Sequence, residues 1–468
     1  MTTRARILVL AFTFLASLPL TTAYAFNPVQ ARDISMGMTS AADAIGVRVV
    51  GQNPAFLALS DQPGITVSLP VLSMGFRFGN NAFSNTDISD YFQDGKYWTT
   101  GDQEYLAGRV AGDELSFTSD IWMRLIGVSF PAKYLDIAFT YDMGMSVDAD
   151  IDEDLTDLLL LGNSLDDLGE RKSFNNTDFS SILLSRIGVT FAKSFNYAEE
   201  VTWLDELTAG VTFNYFIGHS FFDIVNMEGD LLTEQGNTSS HAYFEVVGAG
   251  QLSSNEEDDF YGDSFVAGGG VGIDLGVGGK ILEGRGTVGL SIINLVNQMS
   301  WTDGRRAVYG YDLDGIQLSG MNNDDFFEEN FNPVDSLLSE SEDLNTELPR
   351  LFKLDGAYLL NDRITLTTGL AFQFTDAIGS DAFVRWGTGV EYRTLDWLAL
   401  RGGLSFGGRS GFAFGTGFGL RFGFWQTDIG FGWERGMFNA AKGIRFGMNT
   451  VFVFDAMSNS EVNTVSDK

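Results

Sequence analysis

From residue 411 to residue 454, every second side chain is large and apolar or a threonine, and the residues between are mostly glycine or polar. Phe412, Phe414, Thr416, Phe418, Leu420 and Phe422 alternate with Ala413, Gly415, Gly417, Gly419 and Arg421. Ile429, Phe431 and Trp433 alternate with Asp428, Gly430, Gly432 and Glu434. Ile444, Phe446, Met448, Phe452 and Phe454 continue the pattern against Arg445, Gly447 and Asn449. A period of two is the period of an extended strand. Segments of roughly ten residues of this kind recur through most of the chain, which is the signature of a transmembrane β-barrel.

Fourteen such segments can be drawn: 65–78, 121–130, 135–145, 182–193, 207–219, 264–277, 286–297, 351–360, 363–374, 382–393, 397–406, 411–422, 427–434 and 443–454. Short gaps alternate with a second set that contains four long segments, 79–120, 146–181, 220–263 and 298–350. Outer-membrane barrels have short periplasmic turns and longer extracellular loops. The expectation is an all-β fold: a transmembrane antiparallel barrel of about 14 strands over 64–454, with both ends of the barrel in the periplasm. His241 to Val247 also alternates, and reads as a hairpin arm inside an extracellular loop because a fifteenth strand would spoil the parity.

The alternation assigns faces. Phe414, Phe418, Phe431 and Phe446 should meet lipid, with Gly415, Gly419, Gly430 and Gly447 turned inward. Asp136, Asp142 and Arg421 fall on the inward face, away from the cost of charge in the bilayer. Mean hydropathy is only +0.03. No apolar run after the N-terminus approaches the roughly twenty residues of a helical span, and a closed barrel satisfies its backbone without one. The formal net charge of −33 excludes a nucleic-acid partner, since no basic patch could neutralise phosphates. The partners expected are outer-membrane lipid and, during insertion, the barrel-assembly machinery, whose signal Phe452-Val453-Phe454 resembles. A polar tail, 455–468, follows and is expected to be disordered.

The N-terminus carries an export signal. Arg4 and Arg6 precede an apolar stretch over 7–20, and Ala23-Tyr24-Ala25 is a small-x-small cleavage site. Residues 1–25 therefore read as a signal peptide, with Phe26 as the first mature residue. Cysteine is absent, which removes disulfides, thiol chemistry and a lipoprotein anchor.

Residues 26–63 lack a strand pattern. They read Ala31-Arg32-Asp33-Ile34-Ser35-Met36-Gly37-Met38, then Ala41-Ala42-Asp43-Ala44, then Gln52-Asn53-Pro54-Ala55-Phe56-Leu57-Ala58. This order resembles the hatch of the FadL/PorV superfamily of outer-membrane barrels, and within it an uncharacterised Bacteroidota-type family. The resemblance rests on Met36, Gly37, Asn53, Pro54 and Ala55. It implies a fourteen-stranded barrel of a Gram-negative outer membrane, with a small N-terminal plug. Phe56 stands where the box commonly has glycine, and Ile45-Gly46-Val47-Arg48 where an aspartate-rich stretch is usual. Physically, Pro54 biases Asn53 away from helix, and Asn53 can hold a turn by bonding nearby backbone.

Other constellations carry less. Asp148, Asp150, Asp152 and Asp154 alternate in a predicted loop and are the candidate cation ligands, but lack the glycine and final glutamate of an EF-hand. The run Asn255-Glu256-Glu257-Asp258-Asp259 is of the same kind. His219 and His241 are the two histidines, and no nucleophile–base pair stands out. No enzyme activity and no cofactor is expected. The first functional expectation is a passive channel for a hydrophobic small molecule. The second is a PorV-like barrel that binds an exported protein at the cell surface, and the third is a structural surface protein.

Overall fold

A computed structural model of the chain describes residues 22–23, 30–70, 72–93, 96–112, 114–163, 168–195, 203–235, 237–250, 266–316, 332–334, 342–373, 381–382, 384–408 and 410–454. The export signal apart from residues 22–23, the acidic run at 255–259 and the tail at 455–468 lie outside them.

Fourteen antiparallel strands close on themselves. Strand β1 is split into Ile65–Ser68 and Ser73–Asn80. Then come β2 (Leu115–Pro131), β3 (Asp136–Ile151), β4 (Asp178–Phe195), β5 (Leu204–Glu234), β6 (Gly268–Ile281) and β7 (Gly286–Val296). The second half is β8 (Leu351–Asn361), β9 (Ile364–Gln373), β10 (Val384–Leu395), β11 (Leu398–Gly407), β12 (Phe412–Phe422), β13 (Trp425–Glu434) and β14 (Gly443–Phe454). Each pairs with its neighbour, and β14 returns to both halves of β1, with Ile65 opposite Phe454 and Phe78 opposite Ile444. Closure leaves no strand edge at membrane depth.

The faces follow the alternation. Phe431 is exposed and Phe414, Phe418 and Phe446 half-exposed, while Gly415, Gly430 and Gly447 lie against the N-terminal segment inside the barrel and Gly419 against the lumen-facing Arg401. Two aromatic girdles mark the membrane boundaries. At the short-turn end Trp397, Phe422 and Trp425 stack in series at 5.7 Å. Trp386 and Phe406 stack at 5.7 Å near the opposite end. Trp397 and Phe406 are nine residues apart. At roughly 3.4 Å per residue and a tilt of about 40°, that spacing spans about 23 Å, the height of an outer-membrane apolar band.

Two expectations need correction. The first segment is not one strand. Between Val67 and Ser73 it has five residues where β14, between Phe452 and Asn449, has two. Pro70 has no N–H to give the ladder, so the chain leaves the sheet there. The long segments are also not wholly loops. Strand β3 runs on to Ile151 and β5 to Glu234, and the upper part of β5 pairs with Asn237–Gly250, the arm that contains His241 to Val247. That strand pairs in turn with Gln298–Ile316. Above the bilayer both faces of a strand meet water, so the apolar alternation that reveals the wall is lost. Helices α1 (Asn85–Tyr91), α2 (Thr100–Val110) and α3 (Glu153–Leu161) fill the first two long connections, and none is long and apolar enough to cross a membrane. Serine and threonine N-caps with Asp87 and Asp102 at the third helical position form capping boxes on α1 and α2.

Candidate functional site: the lumen and its hatch

Residues 30–59 fill the lumen with a short helix, Ala31–Ser35, and three 3-10 turns, Ala41–Asp43, Gly46–Val49 and Pro54–Ala58. Ala31, Met36, Val47, Val49, Val50, Ala55 and Phe56 are all 0% exposed. Backbone can come this close to a barrel wall only where the wall has no side chains. A Cβ on Gly415 would stand 1.9 Å from the Ile34 carbonyl oxygen, and one on Gly430 2.1 Å from that of Ala31. The bare face read from the sequence is therefore the bed of the hatch.

The helix ends at Met36 and Gly37. Gly37 adopts φ +66, and a Cβ there would lie 2.3 Å from the Leu404 carbonyl oxygen. Met36 lies against Gly389 and Gly403. Asn53 has extended backbone (φ −138, ψ 109), its Oδ1 accepts from the Ala55 N–H at 3.0 Å, and Pro54 follows at the first position of the turn. The Asn53 Nδ2 also donates to the carbonyls of Val277 and Leu290, both at 3.3 Å, which ties the box to β6 and β7. Phe56 presses its ring on the glycine wall. A Cβ on Gly289 would lie 2.3 Å from it and one on Gly278 2.6 Å. The five motif residues thus gather at two points on the wall, Met36 and Gly37 against β10 and β11, and Asn53, Pro54 and Ala55 against β5 to β7.

Buried charge holds the rest; the sequence signalled the inward place of Asp142 but not the pairings. Arg32 pairs with Asp43 and with Glu391 of β10, the latter at 2.8 Å. Arg48 meets Asp428 of β13 at 2.6 Å. Arg401 of β11 joins the two, at 2.8 Å from Glu391 and 2.7 Å from Asp428. On the other side Asp142 bridges Arg124 and Arg186 at 2.7 and 2.6 Å, and Arg124 donates to the Val47 carbonyl at 2.7 Å. Charges removed from water in this way are tolerated only when paired and hydrogen-bonded.

Cavities flank the hatch at the short-turn end. One of about 500 Å³ is bordered by Leu57, Leu59, Phe130, Ser194 and Glu206. Another of about 420 Å³ is bordered by Ala44, Ile45, Lys280, Ala357 and Arg393. A much smaller recess sits behind the break in β1, between Gln30, Val47 and Arg48 of the hatch and Ser68, Ser73, Trp122 and Asn449 of the wall.

The acidic candidates part company. Asp148 and Asp150 lie on β3, not in a loop, and Asp148 accepts from Thr118 Oγ1 at 2.9 Å. Asp152 is the N-cap of α3, accepting from the Asp154 N–H, and Asp154 accepts from the Ser173 N–H at 2.7 Å. Among the described residues no three His, Asp or Glu side chains are placed to hold a metal ion.

Comparison with known proteins bears on this geometry. The model of a protein family of unknown function, DUF5723, matches residues 54–431. No curated protein matches the sequence significantly. Among solved structures, the deltaS2S3 mutant of the TodX monoaromatic hydrocarbon channel aligns with a TM-score of 0.52 at 13% identity, over 92% of this chain and 100% of that one. The P. putida toluene transporter TodX aligns with a TM-score of 0.49 at 10% identity, over 92% and 99% of the two chains. A Pseudomonas aeruginosa FadL homologue gives 0.45 at 14% identity, over 92% and 100%. The first of these likenesses places the chain in the same barrel fold.

Proposed function

The chain belongs to DUF5723, a family of unknown function, and we propose that it is a passive channel of the Gram-negative outer membrane for hydrophobic small molecules. The observation that carries this reading is the break in β1. The regular pairing of β14 with β1 is interrupted between Val67 and Ser73, where Leu69 and Pro70 are exposed; Leu72 still accepts from the Thr450 N–H at 2.7 Å, and the Ser68 and Ser73 hydroxyls bond each other at 3.0 Å. The recess bordered by Arg48 and Trp122 lies directly behind it, against the hatch. The recess holds only about 10 Å³, so the route needs the few hydrogen bonds that pin this excursion to Thr450 to part; an apolar solute would then pass sideways to lipid without crossing water, as the hydrophobic effect favours. The exposed apolar belt and its girdles support the membrane location.

The test is to delete residues 69–71, which gives β1 the same number of residues as its partner on β14. Uptake of a hydrophobic fluorophore into proteoliposomes should fall to the level of empty vesicles while the barrel still shows heat-modifiable mobility. Undiminished uptake by the folded deletion variant would refute the lateral route.

A second reading, binding of an exported protein by the loops, is favoured by apolar exposure between α1 and α2 and on α3. Tyr97 is 94% exposed and Leu159 67%. Cross-linking from both positions in whole cells tests it. Capture of lipid or lipopolysaccharide alone would count against it.

A further inference from the structure

Above the Asp142 ion pairs the lumen wall carries an apolar layer. Leu184, Gly218, Gly268 and Trp301 form one cross-strand row. Arg186, Phe216, Gly270 and Met299 form the row below. The Asp142 ion pairs begin at that level, and the hatch lies deeper, where Gly210 and Gly276 meet Pro54 and Asn53.

Trp301 is the centre of this layer. It is 0% exposed, as are Phe216, Leu184 and Met299 around it. Its ring stacks on Phe221 at 5.3 Å with the planes 22° apart. Its seat is glycine: a Cβ on Gly218 would lie 2.4 Å from the ring and one on Gly268 2.8 Å. Trp301 Nε1 donates to Thr346 Oγ1 at 2.8 Å, on the half-exposed strand Glu342–Glu347. The indole is carried by Gln298–Ile316, which continues β7 beyond Asn297 and at Trp301 pairs with Gly268 of β6 on one side and with Leu344 on the other.

We propose that this seat is a binding slot for flat apolar molecules of about two fused aromatic rings, and that Trp301 is its resident occupant when the channel is empty. The proposal rests on the reading of the barrel as a channel for hydrophobic molecules. Two glycines and the face of Phe221 shape a flat seat, filled by the indole, that fits a planar π surface by stacking and by thickness. A branched or saturated molecule of equal volume meets the strand backbone at Gly218 and Gly268. Displacement of the ring takes rotation about the Trp301 side-chain bonds and loss of the single Thr346 hydrogen bond, with the backbone pairing to Gly268 kept. In this proposal a molecule on its way to the hatch displaces the indole, and the shape of the seat sets which molecules proceed.

The experiment uses the full chain labelled with 5-fluorotryptophan in lipid nanodiscs. The resonance missing from Trp301→Phe identifies Trp301 among the eight tryptophans. Naphthalene should move or split that resonance saturably, and dodecane should leave it in place. Naphthalene and dodecane fluxes into proteoliposomes are measured beside it. A Trp301 resonance that stays fixed while naphthalene flux persists overturns the slot and leaves the channel reading intact. A resonance that moves with no flux supports the slot and overturns the channel reading. An equal response to dodecane also overturns the slot, because the seat would then lack shape selection.

Discussion

Arg48 of the hatch and Asp428 of β13 form a 2.6 Å ion pair with both side chains 6% exposed, joining residues 380 positions apart in the sequence. Removing one partner of such a pair leaves a buried charge short of its counter-ion, at a cost of about 3–5 kcal/mol. Asp428 keeps Arg401 at 2.7 Å, so Arg48→Met should fall near the lower end. The loss should appear as faster cleavage of the hatch by thermolysin, with unfolding of the barrel wall unchanged. Arg48→Met combined with Asp428→Leu should recover part of it, and a double variant worse than the sum of the singles would show that the pair is not the unit that matters.

The glycine bed makes a contrast between two substitutions. A Cβ on Gly276 would lie 2.0 Å from Asn53 Oδ1, whereas Gly402 has nothing within 4 Å of the same position. Gly276→Ala should displace the Asn53 box and raise hydrogen exchange over residues 52–59. Gly402→Ala should leave exchange there unaltered. Equal behaviour of the two variants would contradict the close approach of hatch and wall.

On the outer face, Phe418→Arg should cost roughly 2–4 kcal/mol in folding from urea into lipid vesicles if the site lies near the midplane. Cysteine at position 418 should react with a lipid-phase reagent and cysteine at position 419 should not. The opposite labelling would reverse the register of β12.

The extension of β5 beyond the barrel should respond to pH. Burial, and then the neighbouring Asp178 carboxylate, push the Asp223 carboxyl up to about 6. Asp223 lies above the membrane-spanning part of β5, opposite Ser180 and Val247. A carboxyl that holds its proton more tightly when folded makes the folded state more stable below about pH 6 and less stable as pH rises from about 4 through 6. Hydrogen exchange over residues 220–234 should therefore be slower at pH 5 than at pH 7.5 after correction for intrinsic rates. Asp223→Asn should flatten that difference; a difference that survives the substitution would assign it to another group.

The wall was legible because a bilayer imposes period two on it. Phe414 and Gly415 declare opposite faces with no knowledge of their neighbours. The Asn-Pro-Ala box was legible as local turn chemistry, since Asn53 caps its own turn. Its second role, bonding across to Val277 and Leu290, was not. Nor were Arg32–Glu391 and Arg48–Asp428, because lumen charges lie on separate strands and no short spacing links them. Trp301 was read as part of a loop, since the extracellular arm has no lipid to enforce alternation. Pro70 did carry a signal for the break in β1, as proline cannot donate within a ladder; apolar Leu69 and Leu72 on either side masked it.

The central claim is that the N-terminal segment fills the lumen of a barrel that closes without it. Conductance in planar bilayers of a chain lacking residues 30–60 tests it most directly. Strand pairing from β14 to β1 starts at Ile65, so the variant should still insert as a heat-modifiable barrel, and its single-channel conductance should rise well above that of the intact chain. A variant that inserts as a folded barrel with unchanged conductance would contradict the account.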